Sequence, residues 1–201
     1  MKGHRPGEET ARLTRSALDA EADTRQFAED ADHHTAWAAQ LPLLSALLEE
    51  LGGVSRAGFL ARVTAPHLVV QAGTVDDLGS NAFFTLAGGP SELQRLEPRV
   101  LALEKRVGPG SNPFGQMITL GRARNNDLVL LHPSVSKFHA WFSQEGGTWS
   151  VTDAGSSNGT WLDGQRLAAR QSHRLRAGAT LVLANALRVQ FLLPEDLLAM
   201  R

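Results

Sequence analysis

Residues 138–151 read Phe-His-Ala-Trp-Phe-Ser-Gln-Glu-Gly-Gly-Thr-Trp-Ser-Val, and this stretch decides the fold. In an extended strand its first six positions would alternate, and we expect Phe138, Ala140 and Phe142 to point one way and His139, Trp141 and Ser143 the other. A period of two is that of an extended strand. Gly146-Gly147 then turns the chain before Trp149 and Val151. The stretch therefore predicts a β-hairpin.

The same alternation recurs near the C-terminus, where its apolar members are Leu187, Val189, Phe191 and Leu193. Asn158-Gly159 and Asp163-Gly164 are dipeptides that favour tight turns between strands. Several short antiparallel strands with closely spaced turns predict an all-β sandwich over residues 99–193. Pro194 ends the last strand, and residues 194–201 are predicted to form a short helix or tail.

The first 98 residues divide into two parts. Residues 1–35 are polar and acidic, and they predict a mobile tail because they have too little apolar surface to repay ordering. Residues 36–98 begin with a leucine stripe at helical spacing that ends at Gly52-Gly53. Pro42 either begins this helix or kinks a longer one. Short strands at Val69-Val70 and at residues 83–86 complete the predicted helical extension or small subdomain.

Composition excludes several classes of protein. The chain has 201 residues, 42% of them hydrophobic and 20% charged, and no cysteine, which excludes a disulfide framework and thiolate metal ligands. No run approaches the roughly 20 apolar residues that cross a bilayer, and the sequence predicts a cytoplasmic protein without membrane attachment. His33-His34 fits a surface pair better than a metal site. We predict neither a metal nor a cofactor.

The formal net charge of −1 conceals a division along the chain. Residues 1–98 contain 8 Lys/Arg and 14 Asp/Glu, a net charge of −6, whereas residues 99–193 contain 11 and 5, a net charge of +6. The predicted sandwich therefore favours an anionic partner. Charge alone does not separate a phosphopeptide from nucleic acid or an acidic protein surface.

Three separated motifs make that choice: Gly121-Arg122, residues 134–139 (Ser-Val-Ser-Lys-Phe-His) and residues 153–160 (Asp-Ala-Gly-Ser-Ser-Asn-Gly-Thr). In order and spacing they resemble the signature of the forkhead-associated (FHA) domain. The resemblance covers residues 99–193, just under half of the chain. It implies an eleven-stranded, mostly antiparallel β-sandwich whose loops at one end bind phosphothreonine within an extended peptide.

The resemblance assigns a role to each of five residues. Arg122 and Ser136 match the residues that contact the phosphate, and Lys137 matches one that commonly adds its amide or side chain. Ser157 and Asn158 match the pair beside the ligand, with the asparagine amide bonding to the peptide main chain. These residue types suit a phosphothreonine, which carries about −1.5 to −2 charges and three strong acceptor oxygens.

Gly121, His139 and Gly159 are assigned to structural support of the site. The family places the histidine that matches His139 behind the loop, where it bonds to the backbone and holds the serine, and we prefer this role to proton transfer. Asn158-Gly159 taken alone fits an ordinary hairpin turn. Its separation from Arg122 and Ser136 favours the binding site instead.

The sequence therefore predicts a non-enzymatic adaptor that recruits a phosphothreonine-containing protein, such as a Ser/Thr kinase or its substrate, and does not bind nucleic acid. An alternative is a structural protein that pairs without phosphate through the helix at Leu43–Leu51 and residues 54–98. An enzyme with its site in residues 54–98 has the weakest support, because no nucleophile, base or metal cluster converges there. Phosphorylation of Thr10, Thr14, Thr24 or Thr35 would allow either intramolecular occupation of the basic domain or head-to-tail self-association.

Overall fold

The structure is a computed structural model, and it describes residues 38–71 and 97–201. The described residues form eleven strands: β1 (His67–Gln71), β2 (Arg99–Ala102), β3 (Ile118–Gly121), β4 (Leu128–Val129), β5 (Ala140–Glu145), β6 (Thr148–Asp153), β7 (Thr160–Leu162), β8 (Gln165–Arg166), β9 (Ser172–Arg174), β10 (Thr180–Leu183) and β11 (Leu187–Leu192). A 3-10 turn (Ala38–Gln40) and the helices α1 (Leu44–Glu50) and α2 (Arg56–Arg62) precede them, and α3 (Pro194–Leu198) follows.

The strands form two sheets. One has the order β2-β1-β11-β10-β7-β8 and the other the order β4-β3-β5-β6-β9. Every pair is antiparallel except β3 with β4, which run parallel. The predicted all-β sandwich is confirmed, and so is its predicted hairpin of β5 and β6. In this hairpin Ala140 lies opposite Asp153 at the open end, and Glu145 lies opposite Thr148 at the turn.

The sheet begins earlier in the chain than the predicted boundary at residue 99. Strand β1 falls within the range assigned to the extension, yet it pairs with β2 on one side and with β11 on the other. Its residues Leu68, Val69 and Val70 are all buried. A strand that is covered on both faces has a continuous apolar run, and the three central residues of β1 form one.

Two cores lie on opposite faces of the six-stranded sheet. Leu68 and Val70 belong to the large cluster between the sheets, which includes Phe142 and Phe191. Val69 belongs instead to a second cluster that contains residues of all three α-helices: Leu44, Leu51, Phe59, Val63, Val69, Val100, Leu192 and Leu197. The helices therefore cover the outer face of this sheet, and the predicted helical extension is a layer of the domain.

Pro42 lies before α1 and separates it from the 3-10 turn, and the helix ends before Gly52-Gly53. The Pro42 carbonyl accepts a hydrogen bond from the Val100 N–H at 2.9 Å, so this segment is tied to β2.

Several predictions fall outside the described residues: the tail at residues 1–35 with its threonines and His33-His34, and the strand at residues 83–86. Within the described ranges, no helix is long and apolar enough to cross a membrane.

Candidate functional site

Three loops meet at one end of the sandwich, and they carry the five residues that the sequence assigns to the phosphate and the peptide. The first loop follows β3, the second precedes β5 and the third joins β6 to β7. The Arg122 N–H donates to the Ser136 carbonyl at 2.8 Å, and the Ala123 N–H donates to the Lys137 carbonyl at 3.0 Å. These backbone bonds hold the first loop against the second.

The Ser136 hydroxyl joins the second loop to the third. Its oxygen accepts a hydrogen bond from the Ser157 N–H at 3.0 Å and lies 3.5 Å from the Ser157 hydroxyl oxygen. The Asn158 Nδ2 group donates to the Ser134 carbonyl at 2.8 Å. Ser157 and Asn158 are exposed and Ser136 is half-buried, so the third loop presents its hydroxyl and amide groups to solvent beside the Ser136 hydroxyl.

The Arg122 guanidinium is oriented by a single hydrogen bond. Its Nε donates to the Val135 carbonyl at 3.0 Å. Its two terminal nitrogens have no hydrogen-bond partner among residues 38–71 and 97–201, and the side chain is exposed. A planar guanidinium fixed through Nε presents two parallel N–H groups, the geometry that binds carboxylate and phosphate oxygens.

Lys137 is exposed, and its carbonyl accepts hydrogen bonds from both the Ala123 N–H and the Asn126 side chain. The Asn126 Nδ2 group donates to that carbonyl at 2.7 Å and to the Ala123 carbonyl at 2.8 Å. Gly121 allows this close approach, because a Cβ there would lie 2.4 Å from the Lys137 carbonyl oxygen. The two loops can pack at this separation only if residue 121 has no side chain.

His139 lies behind the second loop and is fully buried. Its Nδ1 accepts a hydrogen bond from the Ser136 N–H at 3.2 Å, so Nε2 carries the proton and donates to the Gly159 carbonyl at 3.2 Å. Burial lowers the pKa of His139, although the Asp153 charge and the Gly159 carbonyl act to raise it. The neutral ring thus links the loops of Ser136 and Asn158 from the inside.

Asp153 organises the third loop, and it is a residue whose role the sequence did not predict. Its Oδ1 accepts the N–H groups of Gly155 and Ser156, and its Oδ2 accepts the hydroxyls of Ser156 and Thr160, both at 2.6 Å. Burial acts to raise the pKa of Asp153, but these hydrogen bonds outweigh it and the pKa lies below its ordinary value. The position of Asp153 at the start of the third motif was the available signal.

A second buried carboxylate braces the loop that precedes β3. Asp127 Oδ2 accepts the Thr119 N–H at 2.7 Å and lies 3.1 Å from the Lys105 Nζ. Burial acts to raise the pKa of Asp127, yet its hydrogen bonds with Thr119, Asn112, Arg106 and Lys105 bring it below the ordinary value. The Arg106 guanidinium in turn donates to the Arg124 carbonyl at 2.6 Å. The loop that carries Arg122 is therefore supported from both sides.

The predicted direction of Phe138 and His139 is wrong. His139 is fully buried, whereas Phe138 is 37% exposed and stacks between Phe114 and Trp141, with ring centroids 5.8 Å apart in both pairs. The reason is that β5 begins only at Ala140. The alternation of a strand does not extend into the loop that precedes it.

Comparison with known proteins finds a family match in the middle of the sandwich. A family model described as the FHA domain matches residues 118–184. FHA domain-containing protein FhaB of Mycobacterium tuberculosis is 46% identical over 48 residues, which are 24% of this chain and 31% of that protein. Glycogen accumulation regulator GarA of the same organism is 32% identical over 118 residues, or 57% of this chain and 64% of that protein.

A solved structure of M. tuberculosis EmbR in complex with a low affinity phosphopeptide is 26% identical, with a TM-score of 0.35, and the match covers 38% of this chain and 20% of that chain. The chain spans about a third of the length of the FhaB relatives that it matches.

In the described part of the chain, no group of three or more metal-ligating side chains is placed to hold a metal ion.

Proposed function

We propose that the chain contains an FHA domain and binds phosphothreonine-containing proteins at the three-loop site, and the match of the FHA family model to residues 118–184 supports this proposal. Arg122 and Ser136 contact the phosphate, Lys137 adds charge, and Ser157 and Asn158 bond to the peptide. The observation that carries the proposal is the exposed Arg122 guanidinium, whose terminal nitrogens have no partner in the described residues, on the loop bonded to Ser136.

The electrostatics of the site support an anionic ligand. Arg122 and Lys137 are both exposed near the loop ends, and the ion pair between Lys105 and Asp127 is the one salt bridge within the described ranges. The carboxylates of Asp127 and Asp153 accept hydrogen bonds from internal donors. A phosphate dianion therefore meets unpaired cations rather than competing carboxylates.

The preformed loops fit a binding role rather than catalysis. Both ring nitrogens of His139 are hydrogen-bonded to backbone groups, so neither is free to exchange a proton with a ligand. We therefore propose a cytoplasmic, non-enzymatic adaptor that recruits a phosphorylated kinase or a kinase substrate. The names FHA domain-containing protein and Glycogen accumulation regulator, carried by two of the relatives, are compatible with a regulatory role of this kind.

The test is a titration of the protein with three matched peptides that contain threonine, phosphothreonine or phosphoserine at one position. We expect binding only of the phosphorylated peptides, with preference for phosphothreonine. Arg122→Ala should weaken binding of the phosphothreonine peptide by at least about 150-fold, because it removes two charge-assisted hydrogen bonds worth about 1.5–3 kcal/mol each. Arg124→Ala, which removes an exposed arginine of the same loop, is the matched control. Equal binding of all three peptides contradicts the proposal.

A further inference from the structure

A stacked arginine stands next to the loop of Asn158. Trp161 and Arg166 are directly opposite one another in the β7–β8 pair, and opposite residues of an antiparallel pair point to the same face. The Arg166 guanidinium carbon lies 5.4 Å from the centroid of the Trp161 ring. This distance is within the range of a cation–π contact, so the indole holds the guanidinium in a defined position.

The guanidinium also lies against the backbone of Gly159. A Cβ at this residue would lie 2.9 Å from the Arg166 Nε and 3.1 Å from its Nη2. Gly159 has a φ of +87°, which favours glycine and keeps this space open for the arginine. Gly159 directly follows Asn158, whose amide is bonded to the Ser134 carbonyl. The cation therefore stands beside the residue proposed to hold the peptide main chain.

Arg166 is exposed and unpaired within the described part of the chain. The ion pair present there joins Lys105 to Asp127, and it does not involve Arg166. An arginine already ordered by stacking loses little conformational freedom when it binds, and its planar fork matches a carboxylate. A cation kept in this state beside a peptide-binding loop is suited to recognise an acidic group.

We propose that Arg166 recognises an acidic side chain of the peptide whose phosphothreonine lies at Arg122 and Ser136. The inference rests on the proposed function of the site and names its class of partner: a phosphothreonine segment with an aspartate or glutamate close to the phosphorylated residue. Gly159 is two residues from Ser157, at most about 7 Å along the backbone. The Ser157 N–H lies 3.0 Å from the Ser136 hydroxyl, so the path from Ser136 to Gly159 is at most about 10 Å. An extended peptide advances about 3.3 Å per residue, which places the acid within about three residues of the phosphothreonine.

The experiment uses the full chain and a set of fluorescein-labelled phosphothreonine peptides with a neutral alanine and serine background. A single aspartate is moved through the four positions on each side of the phosphothreonine. We expect one or two adjacent positions to strengthen binding by about two- to fivefold, since an exposed ion pair contributes little. Arg166→Gln should abolish this gain and leave the affinity for the neutral peptide unchanged. Arg174→Gln removes another exposed strand arginine and should retain the gain.

Each outcome decides between the alternatives. The inference is wrong if no position of the aspartate strengthens binding, or if the gain persists in Arg166→Gln. It is also wrong if Arg166→Gln weakens the neutral peptide as much as the acidic one, because Arg166 then contacts the phosphate or supports the loop. Arg166→Lys keeps the charge without the planar fork and should retain part of the gain. A neutral peptide that binds equally with threonine and phosphothreonine contradicts the proposed function, and this arm is independent of Arg166.

Discussion

Replacing Asp153 with asparagine tests whether a buried carboxylate shapes the loop of Ser157 and Asn158. Asparagine has the same shape and keeps one oxygen, which can still accept the N–H groups of Gly155 and Ser156. Its NH2 group replaces the oxygen that now accepts the Ser156 and Thr160 hydroxyls at 2.6 Å. Two charge-assisted hydrogen bonds are lost in a place where Asp153 and Thr160 are both buried.

The magnitude follows from these two bonds. A hydrogen bond to a charged group contributes about 1.5–3 kcal/mol, and the two hydroxyls can reorient to accept from the new amide. We therefore expect Asp153→Asn to lower the free energy of unfolding by about 3 kcal/mol, a large part of the roughly 5–15 kcal/mol that a domain has. Thr160→Val removes one of the two bonds and should cost about half as much.

Urea unfolding followed by tryptophan fluorescence measures these free energies. Asp163→Asn is the matched control, because Asp163 is exposed and its carboxylate accepts one backbone N–H, that of Thr180 at 2.9 Å. Asp153 and Thr160 share a bond, so the double variant should cost clearly less than the sum of the single ones. Unfolding free energies within 0.5 kcal/mol of the wild type for Asp153→Asn, or additive costs in the double variant, would refute the reasoning.

Three further predictions use other parts of the structure. Gly121→Ala should lower both stability and phosphopeptide affinity, because its methyl group would lie 2.4 Å from the Lys137 carbonyl oxygen; calorimetric melting should show the loss, and Gly53→Ala, with open space around it, should not. Burial lowers the pKa of His139 below its ordinary 6.5, so His139 takes up a proton more readily in the unfolded chain than in the folded one. The neutral ring therefore contributes its full share of the stability above pH 6.5, and this share decreases as the pH falls below 6.5. Urea titrations from pH 8 to pH 5 should show the decrease, and an equal slope in His139→Gln would contradict it. Phe59→Ala should cost about 3–5 kcal/mol in the same urea assay, because the Phe59 side chain of α2 is fully buried in the second core. A loss below 1 kcal/mol would mean that the helical layer contributes little to stability.

The sandwich could be predicted because its signal is local. Alternation along β5 and β11, and turn dipeptides between short strands, depend on neighbouring residues alone. The partners of β1 could not be predicted in this way. Val69-Val70 was recognised as a strand, but a short apolar run does not say which strands it will pair with. Its place between β2 and β11 is decided by pairings with residues far along the chain.

The candidate site shows the same division. The types and spacing of Arg122, Ser136 and Asn158 carry the resemblance, so the sequence alone names these residues as candidates. The buried polar groups behind them could not, because their role depends on partners from other loops. Asn126 bonds to the carbonyl of Lys137, and Arg166 reaches Gly159 only because β7 and β8 pair in one register. Neither contact has a signature in the sequence.

The helical layer bears on the alternative in which the protein pairs with partners through its N-terminal helix. That alternative requires the leucine stripe of α1 to be available, but Leu44 and the capping residue Leu51 are 6% and 4% exposed. Both pack with Phe59 of α2 and Val69 of β1 in the second core. A partner that used this stripe would have to displace the helix from the sheet and expose the apolar surface of β1. The three-loop end needs no such rearrangement, because its cations and hydroxyls already face solvent, and it is therefore the surface at which we expect partners to bind.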